Sequence, residues 1–335
     1  MIKFLLFADF HYDKAKHPFT VADLEKILQR GKDADVDFVM QCGDFCNDAI
    51  NSPEIFKAYL ENKHGFPVYG IYGNHEMEKP GNSMEINTPL LTNRPVEKPF
   101  PDASYWYTDI KGIRLIGLDS NFSLDPVTNQ WEHAPSGRAG AKPGNINLAY
   151  VYPAEMQWLD GVLADAQAQG LKAILFSHHP LSGCFEWKDG NGAEVRALIG
   201  KYKHTAVMCI SGDLHVEYFA VIDDVPYYSI PATRYLDRRL DWENAYPDEL
   251  TFDYTEYDKD GNPLATYKKS VNDVTDRYYY FCDEPLSAIV SIDDEGNVNI
   301  EGMQSPWLGG IEPVNKGRRF PNPNFILNRS FKLNY

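Results

Sequence analysis

Through its first 230 residues the chain alternates short apolar runs with amphipathic stretches. Residues 2–8 ("IKFLLFA") are continuously apolar, as in a strand buried on both faces. Residues 36–43, 66–73, 172–177 and 205–211 repeat that texture. Between these runs, 20–32 places Val21, Leu24, Ile27 and Leu28 at helical spacing behind Thr20 as an N-cap. Residues 52–63 open with Ser-Pro-Glu, a good cap and first turn, and 153–170 reads as a helix closed by Gly170. Segments 106–120 and 216–230 read as hairpins turning at Lys111-Gly112 and Asp223-Asp224. Strands alternating with helices predict an α/β domain, and the hairpins make its sheets mixed.

Two stretches break the alternation. Residues 80–104 and 121–150 are rich in Pro, Gly and Asn, and loops of that length usually serve a function. After about residue 235 the chain turns polar and aromatic with weak periodicity, and 277–303 reads as short strands with a hairpin at Glu295-Gly296. The expected organisation is a domain over 1–235 and a β-rich C-terminal extension over 236–335. The extension is too aromatic for a solvated tail and is expected to pack on the first domain.

A formal net charge of −16 weighs against nucleic-acid backbone and anionic membrane as partners, since both need basic surface. Neither partner is expected, and no protein partner is predicted. Five scattered cysteines, an odd number, read as reduced thiols. The apolar N-terminus is too short for a signal peptide and runs straight into Asp9, so the expected location is the cytoplasm.

Each apolar run delivers chemistry at its end. Asp9-Phe10-His11 follows the first, Gly43-Asp44 the second, and Gly73-Asn74-His75-Glu76 the third. His178-His179-Pro180 and Gly212-Asp213-Leu214-His215 follow the last two. Singly, each is bland: Asp-x-His is common in surface loops, Gly-Asp is a turn, and His-His-Pro is a strand exit. In open α/β sheets, however, ligands bind outside the carboxyl ends of strands. Side chains two apart on extended backbone face the same way, so the two Asp-x-His pairs are expected to form two walls of one site. Converging carboxylates and imidazoles are the material of a metal site.

Taken in order, "DFH" at 9–11, "GD" at 43–44, "GNHE" at 73–76, "HHP" at 178–180 and "GDLH" at 212–215 resemble the calcineurin-like metallophosphoesterase family. The resemblance covers residues 1 to about 232. It implies a four-layer α/β/β/α sandwich of two mixed sheets, with two divalent metal ions (Mn, Fe or Zn) at the strand ends. It also implies hydrolysis of a phosphate ester by in-line attack of a metal-bridging hydroxide. By the same resemblance, Asp9, His11 and His215 hold the first ion, Asp44 bridges both, and Asn74 and His178 hold the second. His75 is the general acid, oriented by Glu76 or Asp44. His178 is preferred to His179 because the family's ligand lies two residues before the Pro.

There are departures. Asp213 stands where the family has His, and Asn47 where it often has Asp or Tyr, at a position that mainly supports or tunes the metals. Asp213 is expected to ligate the second ion as a carboxylate. Two divalent ions against Asp9, Asp44, Asp213 and a hydroxide then make a neutral core. That favours Mn or Fe over Zn, and a small-molecule phosphodiester over a dianionic monoester. The alternative is a catalytically impaired relative, with Asp213 as the symptom, acting as a binding or scaffolding protein. The acidic balance disfavours a nuclease.

The remaining candidates have plain readings. Cys46 is expected to be a small buried hydrophobe, and His17, His64, His133 and His204 to be solvated. A surface salt bridge is preferred to a phosphate clamp for Arg234 or the Arg238-Arg239 pair. Trp131, Trp187 and Trp242 are candidates for stacking at the pocket rim.

Overall fold

The computed structural model describes residues 1–76, 92–124, 131–133, 150–182, 190–237, 246–274, 279–313 and 324–334. Trp187, Trp242, Arg238 and Arg239 lie outside these, as does the side chain of His133.

Strand β1 (Ile2–Phe7) pairs in parallel with β2 (Phe38–Gln41), and β2 in parallel with β3 (Val68–Gly70). The other edge of β1 carries β16 (Ala288–Ile292), then β17 (Asn297–Glu301) and β20 (Arg329–Lys332), all antiparallel. The second sheet runs β10 (Tyr218–Ile222), β11 (Val225–Ser229), β9 (Ala206–Ser211), β8 (Lys172–Ser177), β5 (Ile113–Gly117), β4 (Trp106–Ile110). Its inner four strands are parallel, and the edge hairpins turn at Lys111-Gly112 and Asp223-Asp224. Both six-stranded sheets are therefore mixed, as the hairpin pattern predicts.

Alternation along each strand decides which core a side chain enters. Ile174 and Phe176 of β8 join the core between the sheets, whereas Ala173 and Leu175 face a separate cluster on the outside. Phe4 stacks on Phe38 within its sheet at 4.9 Å and meets Phe176 edge-on at 6.2 Å across the sandwich. Each such ring contributes about 1.5–3 kcal/mol by leaving water. The outer faces are covered by helices. Leu24, Ile27 and Leu28 of α1 (Val21–Asp33) and Ile55 and Phe56 of α2 (Pro53–Leu60) are buried in the first sheet's cluster. Leu159 and Leu163 of α3 (Pro153–Ala168) and Val195 and Ile199 of α4 (Gly192–Lys201) belong to the outer cluster of the second.

Four two-stranded pairs complete the strands among the described residues: β6 (Phe122–Leu124) with β7 (Trp131–His133), β12 (Tyr235–Asp237) with β15 (Tyr279–Phe281), β13 (Thr251–Tyr257) with β14 (Pro263–Ser270), and β18 (Met303–Gln304) with β19 (Phe325–Ile326).

Two plain readings of the sequence are corrected here. His17 is not solvated: it is buried between Phe19 and Phe281, and its Nδ1 donates to the His11 carbonyl at 2.8 Å. The His64 side chain is also covered, paired with Glu25 at 2.8 Å. Arg234 is no surface ion pair. It is buried, bonds Asp23 at 2.7 Å, and donates to the carbonyls of Cys282 and Asp283. Cys46 is fully buried, as expected.

Candidate metal centre

The parallel strands β1, β2, β3, β8 and β9 present their carboxyl ends to one seam between the sheets. Past the last residue of β1, the chain stays in register with the loop after β2. Asp9 N–H donates to Gly43 O at 3.0 Å, His11 N–H to Asp44 O at 2.9 Å, and Tyr12 N–H to Phe45 O at 3.0 Å. This ladder brings Asp9, His11 and Asp44 together. Gly212 N–H bonds the His178 carbonyl at 3.1 Å, and Asp213 N–H donates to the Asp9 carboxylate at 3.1 Å, which draws in the ends of β8 and β9.

The expectation that each Asp-x-His pair is extended is wrong. Asp9, His11, Asp44, Asp213 and His215 all have left-handed φ, between 49° and 66°. Asp and His tolerate this region better than most residues, at about 1–3 kcal/mol each, and such strain gathers at functional sites. The pairs converge because each loop curls, not because of pleat alternation. Two glycines make room for the curl. A Cβ on Gly43 would lie 2.3 Å from His178 Nδ1, and one on Gly73 would lie 2.1 Å from Asp44 Oδ1.

The donor atoms of Asp9, His11, Asp44 and His215 all fall within 4.8 Å of one another. His11 Nε2 is 3.1 Å from His215 Nε2 and 3.5 Å from Asp44 Oδ2, and His215 Nε2 is 3.4 Å from Asp9 Oδ1. Beside these four, His178 Nε2 lies 3.3 Å from Asp44 Oδ2, 3.2 Å from Asn74 Oδ1 and 3.7 Å from Asp213 Oδ1. Asp44 thus touches both groups. The side chains of Asp9, His11, Asp44 and His178 are at most 3% exposed, whereas His75, His215 and Asp213 are 13%, 17% and 32% exposed. The last three therefore mark the open side.

Backbone and side-chain acceptors fix how the rings face. His11 Nδ1 donates to Asn47 Oδ1 at 2.8 Å, and His178 Nδ1 donates to Cys42 O at 2.9 Å. In both, Nε2 turns toward the cluster, the usual second-sphere arrangement of metal-ligating histidines. His179 turns away, its Nδ1 2.7 Å from Ser120 Oγ. His17, which holds the His11 carbonyl, is a support that sequence reasoning missed. Asn47 stands at the supporting position three residues after Asp44, and the structure gives it His11 as its partner.

Burial opposes charge throughout the cluster. It raises the Asp9 carboxyl, and with His75 it holds His11 well below its ordinary range, keeping that imidazole neutral. Burial would raise Asp44 too, but His178 and His75 outweigh it and hold the carboxyl well below normal. Burial lowers His178, but the Asp44 charge wins and raises it well above 6.5. Glu76 is pushed up to about 8 by burial and by Asp44. Its carboxyl oxygens accept backbone N–H groups, and Asp44 Oδ2 lies 3.8 Å from His75 Nε2.

The donor set is hard oxygen plus imidazole, buried, on strained backbone, with its rings held from behind. That chemistry fits divalent cations. Trp131, a rim candidate, packs on Tyr150 and Tyr152 with centroids at 5.2 and 5.7 Å. Among the described residues, no helix is long and apolar enough to cross a membrane.

No curated protein matches the chain in sequence. Among solved structures it is similar to a dimetal phosphatase from Danio rerio, with a TM-score of 0.56 and 12% identity over 92% of this chain and 98% of that one. A purple acid phosphatase, PPD1, from yellow lupin (Lupinus luteus) seeds gives 0.46 and 14% identity over 93% of this chain and 52% of that one. At this identity, the first likeness is one of fold. The sequence itself matches the calcineurin-like phosphoesterases over residues 2–217. That match spans every strand end that feeds the cluster, and the chain belongs to the calcineurin-like phosphoesterase family.

Proposed function

We propose that this protein is a metal-dependent hydrolase of phosphate esters with a small-molecule phosphodiester as its preferred substrate. The observation that carries the reading is the buried convergence of Asp9, His11, Asp44 and His215 within 4.8 Å in a chain of this family. In this reading Asp9, His11 and His215 hold one divalent ion, Asp44 serves two, and Asn74, His178 and Asp213 hold the second. Bound ions of this kind supply Lewis-acid polarisation of a phosphoryl group and activation of water.

The chain's own residues do the rest. Asn47 and the Cys42 carbonyl keep His11 and His178 aimed inward. His75, on the open side, donates a proton to the leaving oxygen, a contribution worth about 10²–10⁴-fold. Asp213, the most exposed member, adds negative charge where substrate enters. It opposes a dianionic monoester more than a monoanionic diester, and its carboxylate favours Mn or Fe over Zn. Free, buried Cys42, Cys46, Cys209 and Cys282 accord with a reducing compartment, and the proposed location is the cytoplasm.

Asp44→Ala tests the reading, because the Asp44 carboxylate reaches both groups. A panel of mono- and diesters with added Mn²⁺ should be hydrolysed by the wild type, and the variant should lose hydrolysis and most bound metal while staying folded. Near wild-type turnover in the variant would sink it. Metal binding by the wild type without turnover on any ester would instead favour the scaffolding alternative.

A further inference from the structure

Glu76 closes the Gly-Asn-His-Glu run and is 3% exposed. Its Oε2 accepts the Gly73 N–H at 2.7 Å and the Asp44 N–H at 3.0 Å, and its Oε1 accepts the Cys46 N–H at 3.0 Å. One carboxylate therefore fastens two loops. The first follows β2 and carries Asp44; the second follows β3 and carries Asn74 and His75. The fastening is reciprocal, because Asp44 Oδ1 accepts the His75 N–H at 2.8 Å. Each loop thus gives a carboxylate to the other's backbone. The close approach has no slack, since Gly73 lies against Asp44 with no room for a Cβ. Three hydrogen bonds converge on one buried carboxyl group, and their directions are fixed by backbone N–H groups that cannot rotate away.

We infer that Glu76 is a positioning residue that sets the separation of Asp44 from Asn74 and His75. It acts on the second metal position and on the proton donor without touching either ion or the substrate. The inference rests on the two-ion reading above for its functional consequence, but the clamp itself stands on hydrogen bonds alone.

Two variants divide the clamp. Glu76→Ala removes all three bonds. Glu76→Gln keeps one oxygen for Gly73 and Asp44 and turns an amide toward the Cys46 N–H. Amide hydrogen exchange over 42–47 and 70–76, with β5 as internal control, reads the loops directly. Exchange should quicken at least tenfold in both segments for Glu76→Ala, and chiefly at Cys46 for Glu76→Gln. Calorimetric titration with Mn²⁺ should show one of two sites weakened about 10–100-fold, the usual cost of losing an outer-sphere support. A merely structural role would lower Tm and leave Mn²⁺ affinity of the folded protein unchanged. Unchanged exchange in both loops, or faster exchange with both Mn²⁺ sites intact, overturns the inference. If Glu76→Ala does not fold, Glu76→Gln decides alone. If the wild type binds fewer than two Mn²⁺, the two-ion reading fails, while the exchange result still decides the clamp.

Discussion

His11 Nε2 lies 3.1 Å from His215 Nε2, across 204 residues of sequence. With its Nδ1 proton given to Asn47, His11 turns a lone pair toward His215, and Asp9 and Asp44 stand 3.4 Å and 3.5 Å from these two nitrogens. A cation held at this point would bind both nitrogens and both carboxylates. Adding Mn²⁺ to chelated protein should raise stability by about 2.7 kcal/mol at a hundredfold excess over Kd, or roughly 5 °C in Tm. His11→Ala should lose most of that rise. Thermal melts that do not respond to metal in the wild type would contradict the assignment of these residues.

Asp213→His restores the residue the family carries. It should keep hydrolysis, move metal preference toward Zn²⁺, and raise the monoester-to-diester ratio, because one negative charge leaves the open side. Metal content and the ratio of kcat/KM values on paired substrates check this. An unchanged ratio would mean that Asp213 does not sense the substrate.

His75→Ala should slow esters with poor leaving groups by about 10²–10⁴-fold and nitrophenyl esters far less, because a good leaving group needs no proton. Bound metal should change little. Equal losses on both substrates would remove the acid role from His75.

Glu155 offers a pH-dependent stability test. It is fully buried and accepts the Asp119 N–H at 2.8 Å. Burial, and then the Asp119 charge, hold its carboxyl well above the ordinary 4.5. The native carboxyl keeps its proton to higher pH than the unfolded one. Stability from this group is therefore fully present below 4.5 and is lost as pH rises toward the native value, at up to about 1.4 kcal/mol per pH unit. Denaturant melts of wild type and Glu155→Gln from pH 5 to 8 should show the wild type losing ground steadily. A difference that stays flat with pH would mean Glu155 is ionised in the native state.

Much of the fold was legible because its signals are local. The apolar runs, the capping box at Thr20, Pro53 in the first turn of α2, and the turns at Lys111-Gly112, Asp223-Asp224 and Glu295-Gly296 each act within a few residues. What the sequence hid depends on distant partners. The left-handed φ at Asp9 and His11 follows from hydrogen bonds to Gly43 and Asp44, which spacing cannot reveal. α4 buries only Val195 and Ile199 beside Gly192, too thin an apolar stripe to read. Of the β13–β14 hairpin, β14 is exposed along most of its length, so no period marks that strand. At the site, the order of strand-end residues and the supporting position of Asn47 were visible, but His17 and the backbone bonds of Glu76 were not.

The edge of β1 is filled from the far end of the chain. Ile2 stands opposite Ile292, and Thr233 Oγ1 bonds the Ala8 carbonyl at 2.7 Å, one residue before Asp9. A ribosome releases β1 long before its partner β16. At roughly 5–20 residues per second, the apolar edge of β1 waits about 15–60 s for β16. Pairing of such high contact order is slow even afterwards. A nascent chain stalled at residue 240 should therefore be chaperone-bound or aggregated rather than half active, and the cluster around Asp9 should be among the last parts of the molecule to set.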